Sequence, residues 1–290
     1  MRLASILAEG RPILGLKAEG GYLDLSASDP SLGTDVGRLL ASGPQWRARA
    51  ERAAAAAPLI PQDTLRFRPV IPHPAKLLCL GLNDAAHAKE AGLAVPAVPE
   101  VFARVASSLI GHREPMLRPQ ESTMLDYEVE LAVVIGSPGR RIQQTEALNH
   151  VAGYTVFNDG SIRDYQVRTA QWTLGKNFHG TGALGPDLVT PDELPRGAAG
   201  LRLTTRVGDD VLQDGDTAHM IFDVARTIAL LSEAVVLEPG DVIAMGTPAG
   251  IGFARSPQRF LRPGEVCTVA IQGIGELANP IQDDPGGAYR

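Results

Sequence analysis

A strand-like run that carries two alternate carboxylates, residues 125–135, constrains this chain more than any other segment. Its sequence is Leu-Asp-Tyr-Glu-Val-Glu-Leu-Ala-Val-Val-Ile. Because side chains alternate between the faces of a strand, Glu128 and Glu130 share one face while Val129 and Leu131 share the other. Two like charges held about 7 Å apart on a mostly buried strand repel each other and are poorly solvated. A hard cation between them relieves both costs, and an edge strand with a solvated acidic face is the alternative.

Composition restricts the class of protein without naming a function. The chain has 290 residues, of which 44% are hydrophobic and 21% charged, so it can bury one large core or a main domain with a small one attached. A net charge of −6 without a Lys/Arg-rich run disfavours nucleic acid or an anionic membrane as a partner. Cys79 and Cys267 are far apart, which indicates reduced thiols. The chain shows neither an 18-residue apolar stretch nor a signal-peptide pattern, so we expect a cytoplasmic protein.

The pattern of elements predicts a small N-terminal α/β domain over residues 1–70 and a main domain over residues 71–290. Short strand-like pieces lead into predicted helices at 35–41 and 44–57, and the prolines that recur over 58–74 predict a linker. Strand patterns dominate afterwards and lack a regular βαβ alternation, which predicts a mixed, β-rich α+β fold. The main predicted elements are strands at 76–81, 151–157, 201–207, 242–245 and 265–271, and helices near 144–149 and 221–231.

A third acid follows a predicted strand, in the segment Asn158-Asp159-Gly160. Groups at the end of a strand are fixed by the scaffold while access to them stays open. Glu128, Glu130 and Asp159 would together form an all-oxygen site for Mg²⁺ or Mn²⁺, and such a site also admits Ca²⁺. An isolated Asn-Asp-Gly is also a common turn. Zinc is disfavoured, because no Cys/His cluster has the required spacing.

His87 and Glu90 lie three residues apart in a short predicted helix that Asn83 or Asp84 caps. On a helix they are neighbours on one face, and a carboxylate orients an imidazole as a general base that acts through water. An exposed helix with incidental charges is the alternative. Because glycines flank the helix, it could also order over a substrate as a lid.

Five more residues are candidates for substrate contacts. Lys176 stands in a Gly/aromatic context and could hold a carboxylate or an oxyanion, although a surface lysine is the plain alternative. Arg163 and Gln166 follow the third acid closely and could contact anions and hydroxyls, or simply orient neighbouring groups. A predicted strand runs into a glycine-rich loop, where the backbone of Gly246 and the hydroxyl of Thr247 can line an anion pocket.

In this order, these segments resemble the fumarylacetoacetate hydrolase family over roughly residues 72–282. The resemblance implies the mixed β-rich fold of that family's C-terminal domain, a homodimer and a divalent metal, usually Mg²⁺ or Mn²⁺. It also implies chemistry on small anionic 2-oxo or β-dicarbonyl acids. The segments that carry it are 81–92, 107–111, 126–136, 153–164, 175–178 and 240–252.

The same resemblance implies roles for single positions. Glu128, Glu130 and Asp159 correspond to the metal ligands. Two further matches, His87 and Glu90, correspond to a lid dyad that activates water.

It further implies that Lys176 is the active-site lysine and that Thr247 contacts the substrate. Three features depart from the family pattern: Asp84 where tyrosine is frequent, the segment 102–106 in place of an aromatic, lysine and proline run, and His179 where aspartate is frequent. These departures predict an altered pocket wall beside an intact set of metal ligands.

The leading hypothesis from the sequence is a metal-dependent enzyme that hydrolyses a C–C bond in a 2,4-dioxo acid of the acylpyruvate type. The alternative on the same site is a decarboxylase or tautomerase of oxaloacetate-like acids, or a hydratase or isomerase of related keto acids. A non-catalytic protein that binds keto acids is the contrasting class.

Overall fold

Strands supply most of the regular structure in the computed structural model, which describes residues 1–90, 92 and 94–287. In chain order the strands are β1 (Arg2–Ala8), β2 (Arg11–Ala18), β3 (Gly21–Asp24), β4 (Leu59–Pro61), β5 (Leu65–Phe67), β6 (Leu77–Gly81), β7 (Glu100–Arg104), β8 (Leu109–Ile110), β9 (Met116–Arg118), β10 (Leu125–Asp126), β11 (Val129–Ile135), β12 (Val151–Asp159), β13 (Ser161–Ile162), β14 (Gly182–Val189), β15 (Arg202–Val207), β16 (Asp210–Asp216), β17 (Val242–Ala244), β18 (Val266–Ile271) and β19 (Gly275–Asp283). The mixed, strand-rich α+β fold predicted from the sequence is confirmed.

The helices are short and connect or cover these strands. The α-helices are α1 (Leu25–Ser28), α2 (Val36–Ala41), α3 (Trp46–Ala54), α4 (Ala85–Glu90), α5 (Arg163–Gln166), α6 (Thr173–Lys176) and α7 (Val224–Ala234). Single 3-10 turns lie at Pro30–Leu32, Gln62–Thr64, Ala106–Ser108, Ala147–His150, Pro191–Glu193, Arg196–Ala198, Thr217–His219 and Gly252–Ala254. Within the described ranges, every helix is too short or too polar to cross a membrane.

One long sheet joins the two regions that the sequence distinguishes. Its strand order is β4-β3-β2-β1-β14-β12-β11-β17-β6-β7, with β5 paired to β1 and β8 paired to β14. The N-terminal strands enter this sheet because β1 pairs antiparallel with β14, Arg2 opposite Val189. A division at residue 70/71 remains a prediction about folding units, since the hydrogen-bonded sheet runs through both regions.

A second sheet, β16-β15-β18-β19-β9, shares an apolar core with one face of the long sheet. Val129, Leu131 and Val133 of β11 enter this core, whereas Ala132 and Val134 pack on the opposite face of the strand. The alternation predicted for this segment is therefore confirmed. It also explains why the acids lie on the face away from the shared core.

Four local predictions differ from the structure. The proline-rich stretch predicted as a linker contains β4 and β5, because Leu65 and Phe67 are buried where β5 pairs with β1. Helix α3 is shorter than the predicted 44–57, and the predicted helix near 144–149 is only a 3-10 turn. Helix α7 begins later than predicted, because the Asp223 side chain caps it by accepting the backbone N–H of Arg226.

Candidate metal centre and active site

The three predicted acids meet where β11 and β12 pair. Antiparallel register places Val129 opposite Asn158, so Asp159 at the end of β12 comes beside Glu128, whose carbonyl accepts its backbone N–H at 2.9 Å. One carboxylate oxygen from each of Glu128, Glu130 and Asp159 lies within 4.8 Å of the other two, and all three residues are buried. The structure thus gathers the acidic triad that the sequence predicts.

The strand that the sequence predicts over 125–135 breaks directly after Asp126, at Tyr127 and Glu128. The Asp126 carboxylate accepts the backbone N–H groups of Gly252 and Phe253 at 2.8 and 2.9 Å. These contacts divide the segment into β10 and β11, so Glu128 stands just before β11 rather than within it. Side chains still alternate between the two faces across the break, so Glu128 and Glu130 remain on the same side.

Lys176 joins two of the three acids from the end of α6. Its ammonium donates to Glu128 Oε2 at 2.8 Å and to Asp159 Oδ2 at 2.6 Å, and it lies 5.0 Å from the ring centroid of Phe102. The side chain is buried, which excludes the surface lysine considered above. Although burial opposes its charge, Asp159 and Glu128 raise the pKa of Lys176 above its ordinary value.

Arg163 is engaged by protein acceptors. Its Nε donates to Asp126 Oδ2 and its Nη1 to Gln166 Oε1, both at 2.8 Å. Nη2 makes an ion-pair contact of 2.6 Å with Glu128 Oε1, without hydrogen-bond alignment. The predicted contact of Arg163 with substrate remains a prediction, and the guanidinium orients Glu128 and Gln166 in this structure.

Arg104 at the end of β7 is a third cationic partner of the acids, and sequence reasoning missed it. Its Nη1 donates to Asp159 Oδ1 and, at 3.0 Å, to the carbonyl of Gly160. Arg104 lies in the segment 102–106, which departs from the family pattern. That departure was the only signal in the sequence, and it gave no indication that the guanidinium would reach a predicted ligand.

The surroundings of Glu128 and Glu130 shift the pKa values of these two acids in opposite directions. Burial disfavours the charge on Glu128, yet Lys176 and Arg163 lower its pKa to about 2. Burial, followed by repulsion from Asp159 and Glu128, raises the pKa of Glu130 well above its ordinary value. Among the described residues, no cationic side chain pairs with Glu130, whose Oε2 accepts only the backbone N–H of Gly246 at 2.9 Å.

This donor set fits a hard divalent cation. It consists of buried carboxylate oxygens alone, brought close enough to share one ion, and it includes an acid whose charge lacks a cationic partner within the described ranges. Mg²⁺, Mn²⁺ and Ca²⁺ prefer such oxygen ligands. The geometry of the predicted metal centre is therefore chemically consistent with a bound divalent cation.

His87 and Glu90 form the predicted pair on α4. Asp84, rather than Asn83, caps this helix by accepting the backbone N–H of His87 at 2.9 Å. Nδ1 of His87 lies 3.3 Å from Oε2 of Glu90, and the Glu90 carboxylate accepts the backbone N–H of Gly250. Because a carboxylate can only accept, Nδ1 carries the proton in this contact and Nε2 is left as a base.

Asn83 does not cap α4 but links it to distant segments of the chain. Its side-chain amide donates to the carbonyls of Phe222 and Met245 at 3.0 and 2.7 Å, and its Oδ1 accepts the backbone N–H of Phe222. The amide therefore ties the start of the α4 segment to the glycine-rich loop. His179, another departure from the family pattern, contacts the Ser107 carbonyl at 3.0 Å and does not line the cavity beside the triad.

A cavity of about 290 Å³ lies between the triad and α4. Its polar wall contains predicted site residues from several elements. They are His87, Glu128, Glu130, Arg163, Gln166, Lys176 and Thr247. The rest of the lining is mostly apolar. It consists of Leu80, Gly81, Leu82, Glu100, Phe102, Val167, Trp172, Ile251 and Phe253.

Gly246 and Thr247, the two predicted site residues of the glycine-rich loop, make different contacts. The N–H of Gly246, predicted as a substrate donor, donates to Glu130 in this structure. Thr247 lines the cavity, and its hydroxyl oxygen accepts from Nε2 of Gln213 at 2.8 Å, which leaves its own hydrogen free to donate. Gln213 was not predicted, because an isolated glutamine on β16 gives no signal of this role.

The chain matches the family model described as fumarylacetoacetate (FAA) hydrolase C-terminal over residues 76–282. Oxaloacetate tautomerase FAHD2A, mitochondrial, from Homo sapiens is 40% identical over 275 residues, which cover 93% of this chain and 87% of that protein. The solved structure of fumarylacetoacetate hydrolase from Exiguobacterium antarcticum has a TM-score of 0.86 and 32% identity and covers 98% of this chain and 100% of that one. A structure described as a probable 2-hydroxyhepta-2,4-diene-1,7-dioate isomerase from Mycobacterium abscessus has a TM-score of 0.81 and 30% identity, with 99% and 100% covered.

Proposed function

This chain belongs to the fumarylacetoacetate hydrolase family, and on that premise we propose that it is a metal-dependent tautomerase of oxaloacetate-like 2-oxo acids. One observation carries the proposal. The imidazole of His87, oriented by Glu90, lines the same cavity as the carboxylates of Glu128 and Glu130. A site that binds a 2-oxo acid at the triad would thus present one proton-transfer group to the carbon next to the carbonyl.

His87 would move the proton. Its Nε2 would take the proton from C3 of the keto form, and the resulting imidazolium would be stabilised by Glu90. The same nitrogen would then deliver the proton to the C2 oxygen. The C3–H bond breaks and an O–H bond forms, so no atom enters or leaves.

The remaining polar groups would hold the acid and its charge. When bound at the triad, a divalent cation would supply a Lewis acid for the 2-oxo group and the adjacent carboxylate. The Lys176 ammonium lies beside the carboxylate oxygens of Glu128 and Asp159. From there it would stabilise negative charge that develops on a substrate bound at the triad. Gln166 and Thr247 line the cavity and would donate to the far end of the acid.

A relative supports the choice of reaction. The human protein named oxaloacetate tautomerase is 40% identical over almost the whole chain. Tautomerisation also requires fewer catalytic groups than C–C hydrolysis, because it needs neither an activated water molecule nor a second site for an oxyanion. Decarboxylation of oxaloacetate would use the same enolate stabilisation with release of CO₂.

Hydrolysis of an acylpyruvate, the leading hypothesis from the sequence, is our second candidate. The apolar wall of the cavity favours it, because Phe102, Trp172 and Phe253 could enclose an apolar acyl group better than a second carboxylate. In that reaction the imidazole of His87 would deprotonate a water molecule that attacks the C4 carbonyl.

One set of assays separates these reactions. Purified protein with Mg²⁺ or Mn²⁺ is given oxaloacetate, and the enol absorbance and CO₂ release are followed; acetylpyruvate is tested in parallel for pyruvate release. We expect metal-dependent acceleration of the keto–enol exchange without stoichiometric CO₂. Metal-dependent pyruvate release from acetylpyruvate without exchange of oxaloacetate would replace the proposal by the second candidate.

We also propose the metal, the ligand, the oligomeric state and the cellular location of the enzyme. We expect Mg²⁺ or Mn²⁺ as the metal, a small anionic keto acid as the ligand, and a homodimer in the cytoplasm, whereas the human relative is named as mitochondrial. Light scattering on a size-exclusion column checks the dimer, and cell fractionation checks the location.

A further inference from the structure

Two neighbouring cavities meet at one group of side chains near the triad. The inner cavity, described above, has a volume of about 290 Å³, and an outer cavity of about 420 Å³ adjoins it. Glu100, Phe102 and Trp172 line both cavities and form the boundary between them. Glu128 and Glu130 line the inner cavity and not the outer one. A ligand that binds at the triad and extends into the outer cavity must therefore pass this boundary.

The indole of Trp172 is packed closely at the boundary. Its ring lies edge-on to the ring of Phe102, with the centroids 5.5 Å apart. A Cβ at Gly81 would come within 2.5 Å of the indole carbon Cζ3, so the glycine makes room for the ring. The register of β6 and β7 places Gly81 opposite Glu100, and the indole and the acid therefore adjoin the same backbone pair.

Trp172 is also fixed relative to the lysine that would hold the acid. Its carbonyl accepts the backbone N–H of Lys176 at 3.1 Å, so one helical turn separates the two residues. The Phe102 ring contacts both of them, because its centroid lies 5.0 Å from Nζ of Lys176. Asn177 ties this turn to the end of β7, since its Oδ1 accepts the N–H of Val105 at 2.7 Å. The distance from the head of a bound acid to the indole is thus short and constant.

Glu100 places an uncompensated charge at the same boundary. Its side chain is exposed, and within the described ranges it takes part in neither a hydrogen bond nor an ion pair. A carboxylate of this kind repels a second one that approaches it, and solvent weakens the repulsion without removing it. A ligand tail that ends in a carboxylate would meet this charge as it passes Trp172.

We propose that Trp172 and Glu100 are specificity-determining residues, the indole limiting the length of a 2-oxo acid and Glu100 rejecting long tails that end in a carboxylate. This inference rests on the proposed function and narrows its substrate class to short acids that fit entirely within the inner cavity. The volume of that cavity agrees with a small ligand, because it lies at the lower end of the range of about 300–1,000 Å³ found for ligand pockets.

The test measures binding rather than turnover and uses three acids with the same head. They are 2-oxobutanoate, which is short, 2-oxooctanoate, which has a long neutral tail, and 2-oxooctanedioate, whose equally long tail ends in a carboxylate. Protein supplied with Mn²⁺ is titrated calorimetrically with each acid, and Kd is expressed relative to that of 2-oxobutanoate. We expect wild type to bind both long acids at least about tenfold more weakly, the diacid being the weaker of the two.

Two substitutions separate length from charge. Trp172→Ala opens the boundary, so the relative Kd of 2-oxooctanoate should fall by roughly tenfold. Glu100→Gln, added to Trp172→Ala, removes the charge and keeps the shape of the side chain. We expect it to improve binding of the diacid by about threefold and to change the relative Kd of 2-oxooctanoate by less than about twofold.

Leu174→Ala is the matched control. Leu174 belongs to the same short helix as Lys176 but is exposed and lines neither cavity, so the three acids should bind as to wild type. Thermal unfolding checks that each variant is folded, and Trp172→Leu serves if Trp172→Ala is not.

The outcomes separate this inference from the proposed function. Equal binding of the three acids by wild type, or an unchanged relative Kd of 2-oxooctanoate in the folded Trp172 variant, would overturn the length limit while tautomerase activity could still stand. An equal gain for both long acids on Glu100→Gln would overturn the role of its charge. If wild type does not bind 2-oxobutanoate, the proposed function fails and this inference fails with it.

Discussion

Glu90 receives the backbone N–H of Gly250 between its two carboxylate oxygens, at 3.0 and 3.1 Å. The same carboxylate lies against Nδ1 of His87. A single acid therefore fastens α4 to the glycine-rich loop and sets the direction of the imidazole that lines the cavity. This arrangement is how a short helix of six residues can hold a base in place.

The first prediction concerns this pair. We expect His87→Asn to lower kcat by about 10²- to 10⁴-fold, since it removes the group that transfers the proton. Glu90→Gln should cause a smaller loss, because the amide oxygen can still accept from Gly250. Steady-state kinetics measure both, and Mn²⁺ affinity should be unchanged. Glu276→Gln, which changes an exposed side chain of β19, is the control. Full activity of His87→Asn would exclude His87 as the base.

The second prediction uses Gly81 to move the cavity wall. A Cβ added at this position would lie 2.5 Å from the ring carbon Cζ3 of Trp172, so the indole must shift. We expect Gly81→Ala to lower kcat/KM by roughly tenfold through misplacement of the substrate. The double variant Gly81→Ala with Trp172→Leu relieves the clash and should recover part of the loss. If the single variant behaves as wild type, Trp172 does not shape the bound state.

The third prediction concerns stability. Asp126 is fully buried and binds Gly252, Phe253 and Arg163. Asp126→Asn replaces an accepting oxygen by a donor and removes one of the two buried carboxylates that pair with Arg163, so we expect the free energy of unfolding to fall by roughly 3–5 kcal/mol. Urea denaturation measures it.

An exposed acid provides the comparison for Asp126. Asp283 pairs with Arg118 at the surface, and Asp283→Asn should cost less than about 1 kcal/mol. Equal stabilities of the two variants would contradict the structural role given to Asp126.

The fourth prediction is a pH dependence. Burial, with help from Arg113 and Lys17, lowers the pKa of His112 from 6.5 to about 4, and its Nδ1 accepts the backbone N–H of Ala278 at 3.2 Å. Between pH 4 and 6.5 the unfolded chain therefore binds more protons than the folded protein, so the free energy of unfolding rises with pH from about 4 to 6.5. The stability that the neutral His112 contributes is lost as the pH falls through this range.

His112→Asn isolates this contribution. With partial exposure of the ring taken into account, we expect the variant to flatten the stability profile by about 1–2 kcal/mol between pH 4.5 and 6.5. Urea unfolding of both proteins at the two pH values measures the difference. A wild-type slope that persists unchanged in the variant would assign the effect to other groups.

Local pattern was enough to predict the parts of the site that follow from strand geometry. Alternation on the acidic run fixed which residues face the core, and the end of a second strand supplied Asp159. The pairing of β11 with β12 then brings the acids together, as expected for consecutive strands in a sheet.

The remaining features depend on contacts between distant segments, which one-dimensional pattern does not contain. Arg104 reaches Asp159 across 55 positions of sequence, and Asp126 divides its strand because it binds a loop 126 positions away. The strand character of the proline-rich stretch likewise arises from pairing with β1, which overrides the local preference of proline for irregular structure.

The most direct test of the account is calorimetric titration of metal-free protein with Mn²⁺, in wild type and in Glu130→Ala. We predict one ion per chain in wild type and a loss of affinity of at least about tenfold in Glu130→Ala, with Glu276→Gln binding as wild type. The absence of saturable binding by wild type, or undiminished binding by Glu130→Ala, would contradict the assignment of the buried triad as a metal centre.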